Sequence, residues 1–221
     1  MTSQRNDIAI VNFANDVSWY REGQQRLREE LNKFNPEIAF FGFQTEEQIG
    51  SPKHHENPYA FKVYCFNRVM AMGFNKIIYA DSSLYPIKSI QPIIDHLDNV
   101  GYVMEDSGHF AGQWCNENAL NYFGVTKDEI KDVPMFTAGF LGLDLSRDIP
   151  RRFFNHWYNS MINGAFKGSW SDHRHDMTCG SVIAKCHFDM EYIPVCTYLA
   201  YIGASYPKPK ETTIFHLKPT I

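Results

Sequence analysis

The chain has 221 residues, a net charge of −4, 44% hydrophobic and 15% aromatic residues, and 21% charged residues. This is enough apolar material for a packed core, which excludes a disordered chain. The mild acidity also argues against a nucleic-acid binder, which usually presents a basic face. Met1 to Asp7 lead directly into an apolar segment, with no charged-then-apolar leader. No apolar run approaches the ~20 residues of a membrane span. The five cysteines (Cys65, Cys115, Cys179, Cys186, Cys196) are odd in number and contain no C-x-x-C pair, which fits a reducing compartment. The expectation is a cytoplasmic protein with no transmembrane segment and no nucleic-acid partner.

Apolar runs and amphipathic stretches alternate along the chain. Ile8 to Phe13 predicts a strand, and Trp19 to Phe34 a helix carrying Leu27, Leu31 and Phe34 on one side. Glu37 to Phe43 predicts a second strand, Gln44 to Pro58 a polar, proline-containing loop, and Tyr59 to Met72 a mostly buried helix. Lys76 to Ala80 is a short strand ending at Asp81. Ile87, Ile90, Ile94 and Leu97 give the next helix an apolar face. Strands follow at Val100 to Met104 and Phe140 to Leu145, then a helix marked by Phe153, Trp157 and Met161. A further helix follows Asp172, and Tyr192 to Tyr198 predicts a last strand. This order predicts an α/β class with a mostly parallel central sheet and helices on both faces. With no internal repeat and no long linker, residues 1–221 read as one domain.

In open α/β sheets, ligands bind beyond the carboxyl ends of strands. The polar residues that follow strands therefore carry the chemistry: Asn12 to Asp16, Asp81 to Ser83, Glu105 and Asp106. Lys76-Ile77-Ile78-Tyr79-Ala80-Asp81-Ser82-Ser83 delivers a carboxylate to a strand end, with a hydroxyl two residues on. In an extended chain positions 81 and 83 point the same way. That pair suits magnesium or manganese, which accept one or two protein oxygens and complete their shell with phosphate and water. The plainer reading is that Asp81 caps a helix beginning near Pro86, or makes an Asx turn.

This segment resembles the D-x-D region of GT-A glycosyltransferases, and the stretch from Pro58 to Lys76 resembles the helix that leads into it. The resemblance departs at Ser83, where the family carries a second aspartate. It implies a single GT-A (Rossmann-like) domain that moves a sugar from a nucleoside diphosphate sugar, UDP-sugars favoured, to an acceptor hydroxyl on a glycan. Met135 to Asp144, rich in small residues, is similar to the family strand beside the donor sugar, which implicates Gly139. Trp170-Ser171-Asp172-His173-Arg174-His175-Asp176-Met177 looks like the family's aspartate motif against the donor, which makes Asp176 the carboxylate at the reacting centre and His175 a donor contact. Glu105 and Asp106 are the fallback bases. The ending Ile214 to Pro219 resembles that of glycogenin-like enzymes, which implies His216 as a metal ligand beside Asp81 and Ser83, and Lys218 as a phosphate contact. It also leans towards retention of configuration at the transferred sugar. The loop after the first strand (Asn12, Phe13, Ala14, Asn15, then Asp16) would hold the nucleotide. Asp81, Ser82, Lys62 and, further along the same helix, Arg68 lie near the expected phosphates.

Three other readings stand beside this one. A nucleotidyltransferase would carry a Gly-rich basic loop after the first strand, which Asn12 to Asp16 lack. A non-catalytic module binding a glycan or nucleotide is favoured by Ser83. A zinc site using His175 and Cys179 at i, i+4, with His173 or Cys186, lacks a completing pair.

Overall fold

A computed structural model describes residues 5–201 and 210–217. The first apolar run forms β1 (Arg5–Phe13), followed by α1 (Ser18–Phe34) and β2 (Ile38–Phe43). Next come α2 (Glu46–Ile49), α3 (Ala60–Met70), β3 (Lys76–Ala80), β4 (Leu84–Pro86), α4 (Gln91–Val100) and β5 (Tyr102–Phe110). After a 3₁₀ turn at Ala111–Gln113 the chain forms α5 (Glu117–Phe123), β6 (Pro134–Asp144), α6 (Asp148–Ile162) and α7 (His175–Val182). A π-helical turn at Ile183–His187 precedes the short strands β7 (Leu199–Tyr201) and β8 (Phe215–Leu217).

The central sheet has five strands in the order β2-β1-β3-β6-β5. β1 is parallel to β2 and β3, whereas β6 is antiparallel to both β3 and β5. The sheet is thus mostly parallel, with β6 alone reversed. A small second sheet has the order β4-β8-β7.

Side chains alternate across the central strands, and each set meets its own helices. Ala9, Val11, Ile77 and Tyr79 pack with α3, α6 and α7 through Val63, Phe66, Phe153, Trp157 and Val182. Ile8, Ile10, Ile78 and Ala80 face the other way, onto Leu27 and Leu31 of α1 and Ile93, Ile94 and Leu97 of α4. Helices therefore cover both faces, as the continuous apolar strands require. Among the described residues no helix is long and apolar enough to cross a membrane.

The structure corrects several predicted boundaries. The expected loop from Gln44 contains α2, because the Gln48 side chain accepts the backbone N–H groups of Gln44 (2.6 Å) and Thr45 (3.2 Å) and so closes a helical turn. The helix expected from Ile87 starts only at Gln91; Leu84 to Pro86 pair with β8 instead, and Ile87 is exposed. Asp81 therefore caps no helix. Val100 is the last residue of α4, which Gly101 ends at φ 94°, and β5 runs on to Phe110. The last predicted strand is reduced to one bridge, Ile193 with Glu105. Pro194 has no N–H to offer, Cys196 turns at φ 56°, and the N–H groups of Tyr198 and Leu199 go to the Glu105 carboxylate. The helix expected after Asp172 is present as α7, which begins at His175 with Asp172 in the preceding turn.

Candidate active site

β3 ends at Ala80, and strand alternation sends Asp81 to the face that Tyr79 occupies, the face covered by α3 and α7. The Tyr79 hydroxyl donates to Asp81 Oδ1 at 2.9 Å, and the Asp81 N–H donates to the Gly139 carbonyl at 2.8 Å. From α3, Lys62 reaches the same place. Its Nζ lies 3.0 Å from Asp176 Oδ2, 3.9 Å from Asp81 Oδ1, and donates to the Ala138 carbonyl at 3.0 Å. The rings of Tyr59 and Tyr79 each lie 5.3 Å from this ammonium. Two carboxylates, two phenols and one cation from α3, β3 and α7 thus converge beside the start of β6.

Lys62 and Asp176 are almost wholly buried, while the Asp81 side chain is 39% exposed. Burial acts to lower the Lys62 pKa, but the charges of Asp176 and Asp81 outweigh it and hold the ammonium at about 12. Burial raises the Asp176 carboxyl, against the opposing charge of Lys62. Asp176 Oδ2 is buried, and the Lys62 ammonium is the close polar partner it meets among the described residues. The Tyr59 phenol is pushed up to about 12 by burial and then by Asp176. Tyr59 itself stands at φ 60° where α3 begins, an unusual backbone state for a residue with a Cβ.

A buried polar clamp fixes the loop after β3. Asn12 donates to the Ala80 carbonyl at 2.6 Å, and its Oδ1 accepts from Gln24 of α1 (2.8 Å) and from Ser82 (3.3 Å). Gln24 also donates to the Phe43 carbonyl at 3.0 Å. The ends of β1, β2 and β3 are tied together in this way, and α1 is tied to them. α1 approaches so closely that a Cβ at Gly23 would lie 2.1 Å from the Ser82 carbonyl oxygen.

The cluster opens into a cavity of about 880 Å³. The sheet order divides its walls. On the β1 side of Asp81 stand Phe13, Asn15, Trp19 and Tyr20; on the β6 and β5 side stand Thr137, Met135, Ser107 and His109. Trp114, Trp170 and Arg174 line the latter end, and Tyr59, Phe61 and His54 add further rings. Phe13 stacks on Phe61 at 4.6 Å.

Of the residues singled out from sequence, Phe13, Asn15, Lys62, Asp81, Ser82, Ser83, Gly139 and Asp176 line this cavity. Asn12 and Ala14 are buried behind the wall, Asn12 in the clamp and Ala14 bonded to the Phe43 carbonyl. His175 is buried, stacked on Tyr59 at 5.2 Å and bonded to the Phe166 carbonyl at 2.7 Å. Asp16 is exposed and pairs with Arg21, while Arg68 is exposed on the far part of α3. Glu105 and Asp106 are not cavity-lining residues, because β5 continues past them. Glu105 turns beneath the segment after Ile193, and Asp106 accepts the Gly108 N–H at 2.8 Å.

His216 also falls off the wall. Its strand neighbour Leu217 takes the lining position, and the His216 ring meets Tyr85 edge-on at 5.9 Å. Lys218 lies outside the described residues. For the zinc reading, Cys179 approaches His173 (3.9 Å) rather than His175, Cys186 is exposed, and no group of three metal-binding side chains of the His, Cys, Asp or Glu type exists among the described residues.

Sequence reasoning did not single out Gln24, Tyr79, Tyr59 or Trp19 for the site. Tyr79 had a usable signal, since period-2 alternation places it on the side of Asp81. Gln24 and Tyr59 had none, because their roles depend on how helices meet the sheet.

No protein-family model matches this sequence, and no curated protein does. Solved structures do. The apo form of mouse xyloside xylosyltransferase 1 superposes with a TM-score of 0.58 at 12% identity, covering 96% of this chain and 98% of that one. A glycosyltransferase involved in glycosylation of the major capsid of PBCV-1 gives 0.54 at 13% identity, covering 95% and 93%. The bifunctional glycosyltransferase WbbM, in its apo structure, gives 0.55 at 11% identity, covering 98% of this chain and 46% of that one. At such identities the likeness is one of architecture, and this chain has the GT-A-like fold of those glycosyltransferases.

Proposed function

We propose that this protein is a glycosyltransferase that moves a sugar from a nucleoside diphosphate sugar to an acceptor hydroxyl. The observation that carries the reading is the Asp81–Lys62–Asp176 cluster, set at the carboxyl end of β3 within a fold shared with glycosyltransferases. The nucleotide lies over the β1 side, against Phe13, Asn15, Trp19 and Tyr20, and a UDP-sugar is the first donor to try. The diphosphate reaches Asp81 and Ser83.

The chain turns at Ser82 and Ser83, where the Leu84 N–H donates to the Asp81 carbonyl at 2.9 Å, so Asp81 and Ser83 are not aligned as the extended chain expected from sequence would have them. Both still line the cavity, where Asp81, with Ser83 nearby, would hold a manganese or magnesium ion carried largely by the diphosphate. Asp81 is exposed to the cavity, and the absent Cβ of Gly139 leaves room at Asp81 Oδ2, since a Cβ there would come within 2.7 Å. A hard cation needs only one or two protein oxygens in such a setting. When bound, it offsets the charge of the departing diphosphate.

In the reaction the bond from the anomeric carbon to the diphosphate oxygen breaks, its electron pair leaving with the diphosphate. The acceptor oxygen bonds the anomeric carbon, and its proton passes to Asp176. Burial raises that carboxyl and so strengthens it as a base, and the residue lines the cavity in which the acceptor would sit. Lys62 holds Asp176 ionised and in place.

The test is thermal unfolding with UDP and with GDP, each with manganese and with a chelator. A nucleotide at ~100 times its dissociation constant adds about 2.7 kcal/mol of stability. A midpoint shift that requires nucleotide and metal together, and is lost in Asp81→Ala, is the expected result. A shift without metal would remove the cation from the scheme. No shift with any nucleotide would leave a module that shares only the fold.

A further inference from the structure

The cavity end that faces β5 holds a cation that the scheme above does not use. The Arg174 guanidinium carbon lies 3.6 Å from the centroid of the Trp114 ring and 4.2 Å from that of Trp170. All three residues line the cavity. The arrangement is built in. The Arg174 N–H and the Thr178 hydroxyl both donate to the Trp114 carbonyl, at 3.2 and 2.9 Å, and the Arg174 side chain donates to the Trp170 carbonyl. Trp114 is thereby tied to the start of α7, and Trp170 to Arg174 itself. Trp170 stays 52% exposed.

Arg174 forms no ion pair with a carboxylate among the described residues. Lys62, by contrast, is matched to Asp176 and Asp81. A guanidinium carries five N–H donors, and only the one directed at the Trp170 carbonyl meets a protein acceptor among the described residues. Indole rings on its faces fix its plane while its edge remains available to oxygen. Planar N–H groups of this kind match a carboxylate or phosphate, and the neighbouring rings match the C–H face of a sugar.

Position separates this platform from the donor. The sheet order puts β1, with its loop, on one side of β3 and β6 and β5 on the other. Trp114 follows β5, and Arg174 opens α7 against it. With the nucleotide over the β1 loop and the diphosphate at Asp81, this end is left for the acceptor. We infer that the acceptor is a saccharide carrying an anionic substituent, a ring carboxylate or a phosphate, which Arg174, held in plane by Trp114, binds while the exposed part of Trp170 packs against the sugar. The inference rests on the glycosyltransferase reading for the word acceptor, but the binding site stands on its own geometry.

The test is a binding titration of the full chain, with UDP and manganese present, using methyl glucuronide, glucose 6-phosphate, methyl glucoside and inorganic phosphate. One charged hydrogen-bonded contact is worth roughly a tenfold or greater difference in affinity. The wild type is expected to bind at least one anionic sugar about tenfold or more tightly than methyl glucoside and than inorganic phosphate, and which one it prefers separates carboxylate from phosphate. Arg174→Gln should erase the preference for charge, and Trp170→Ala should weaken every sugar. Equal binding of charged and neutral sugars by the wild type overturns the inference, even if a variant misfolds. So does a preference that survives Arg174→Gln in a folded protein, or inorganic phosphate binding as tightly as the sugars. If Arg174→Gln instead abolishes the UDP-dependent shift of the unfolding midpoint, the guanidinium serves the donor and the inference fails. If UDP never shifts the wild type while anionic sugars bind through Arg174, the glycosyltransferase reading fails and the saccharide site remains.

Discussion

Lys62 Nζ and Asp176 Oδ2 form an ion pair at 3.0 Å with side-chain exposures of only 5% and 2%. Neither charge has water to fall back on, so each depends on the other. Lys62→Met should cost about 3–5 kcal/mol of folding stability, the range for breaking a buried pair. The double variant Lys62→Met/Asp176→Leu should recover much of that loss while remaining inactive. Urea denaturation of Lys62→Met, Asp176→Leu and the double variant beside the wild type checks this. If the double variant is as unstable as the sum of the two single ones, the pair is not coupled.

Gly139→Ala should separate chemistry from folding. The new Cβ would meet Asp81 Oδ2 at 2.7 Å and push the carboxylate from its place. Asp81 is partly exposed and can yield, so the unfolding midpoint should move little. Metal-dependent nucleotide binding should fall by about tenfold or more, the cost of one misplaced charged contact. Unchanged nucleotide binding would show that the position of Asp81 is unimportant.

Gly23→Ala reverses an ordinary rule. In a free helix, alanine is favoured over glycine by about 1 kcal/mol. Here the Cβ would come within 2.1 Å of the Ser82 carbonyl oxygen, a backbone atom fixed by the Asn12 clamp. The expected result is a net loss of about 1–3 kcal/mol, in the range for overpacking, measured by chemical denaturation. Stabilisation would mean that α1 shifts freely against the loop.

Glu105 gives stability a pH dependence. Burial raises its carboxyl from the ordinary 4.5 to about 7 in the folded chain. The folded state thus holds this proton more tightly than the unfolded chain. Its stabilising contribution is complete below about pH 4.5 and is lost as pH rises towards 7. The total is on the order of 3 kcal/mol. Glu105→Gln keeps an acceptor for the Tyr198 and Leu199 N–H groups and should flatten this part of the stability profile. A wild-type profile already flat between pH 4.5 and 7 would contradict the assignment.

The α/β class was legible because the central strands are short, apolar runs joined by stretches of helical period. Ile77 and Ile78 were both apolar because each faces its own helical layer. Asp81 stood out because an apolar strand ends on it. Lys62 and Asp176 could be named singly, but nothing in their spacing showed that they meet, since α3 and α7 are far apart in sequence and come together only once the sheet has folded. Glu105 and Asp106 drew attention for a reason that fails locally: β5 was expected to stop at Met104, and it continues to Phe110. The stretch around Cys196 read as a strand from its apolar content, yet a single distant carboxylate takes its N–H groups.

The reversed direction of β6 decides where this protein can vary. A parallel strand would have offered a loop beside Asp81; the antiparallel one offers the backbone of Ala138 and Gly139, already bonded to Lys62 and Asp81. That floor tolerates little substitution and no insertion without unseating the charge cluster. The turns around Trp114 and Trp170 are tied to the start of α7 rather than to that floor, so exposed side chains there can change while the strand beneath stays as it is. On the glycosyltransferase reading, preference for one acceptor over another would therefore be retuned by side chains in those two turns, apart from the charge cluster proposed to carry the chemistry.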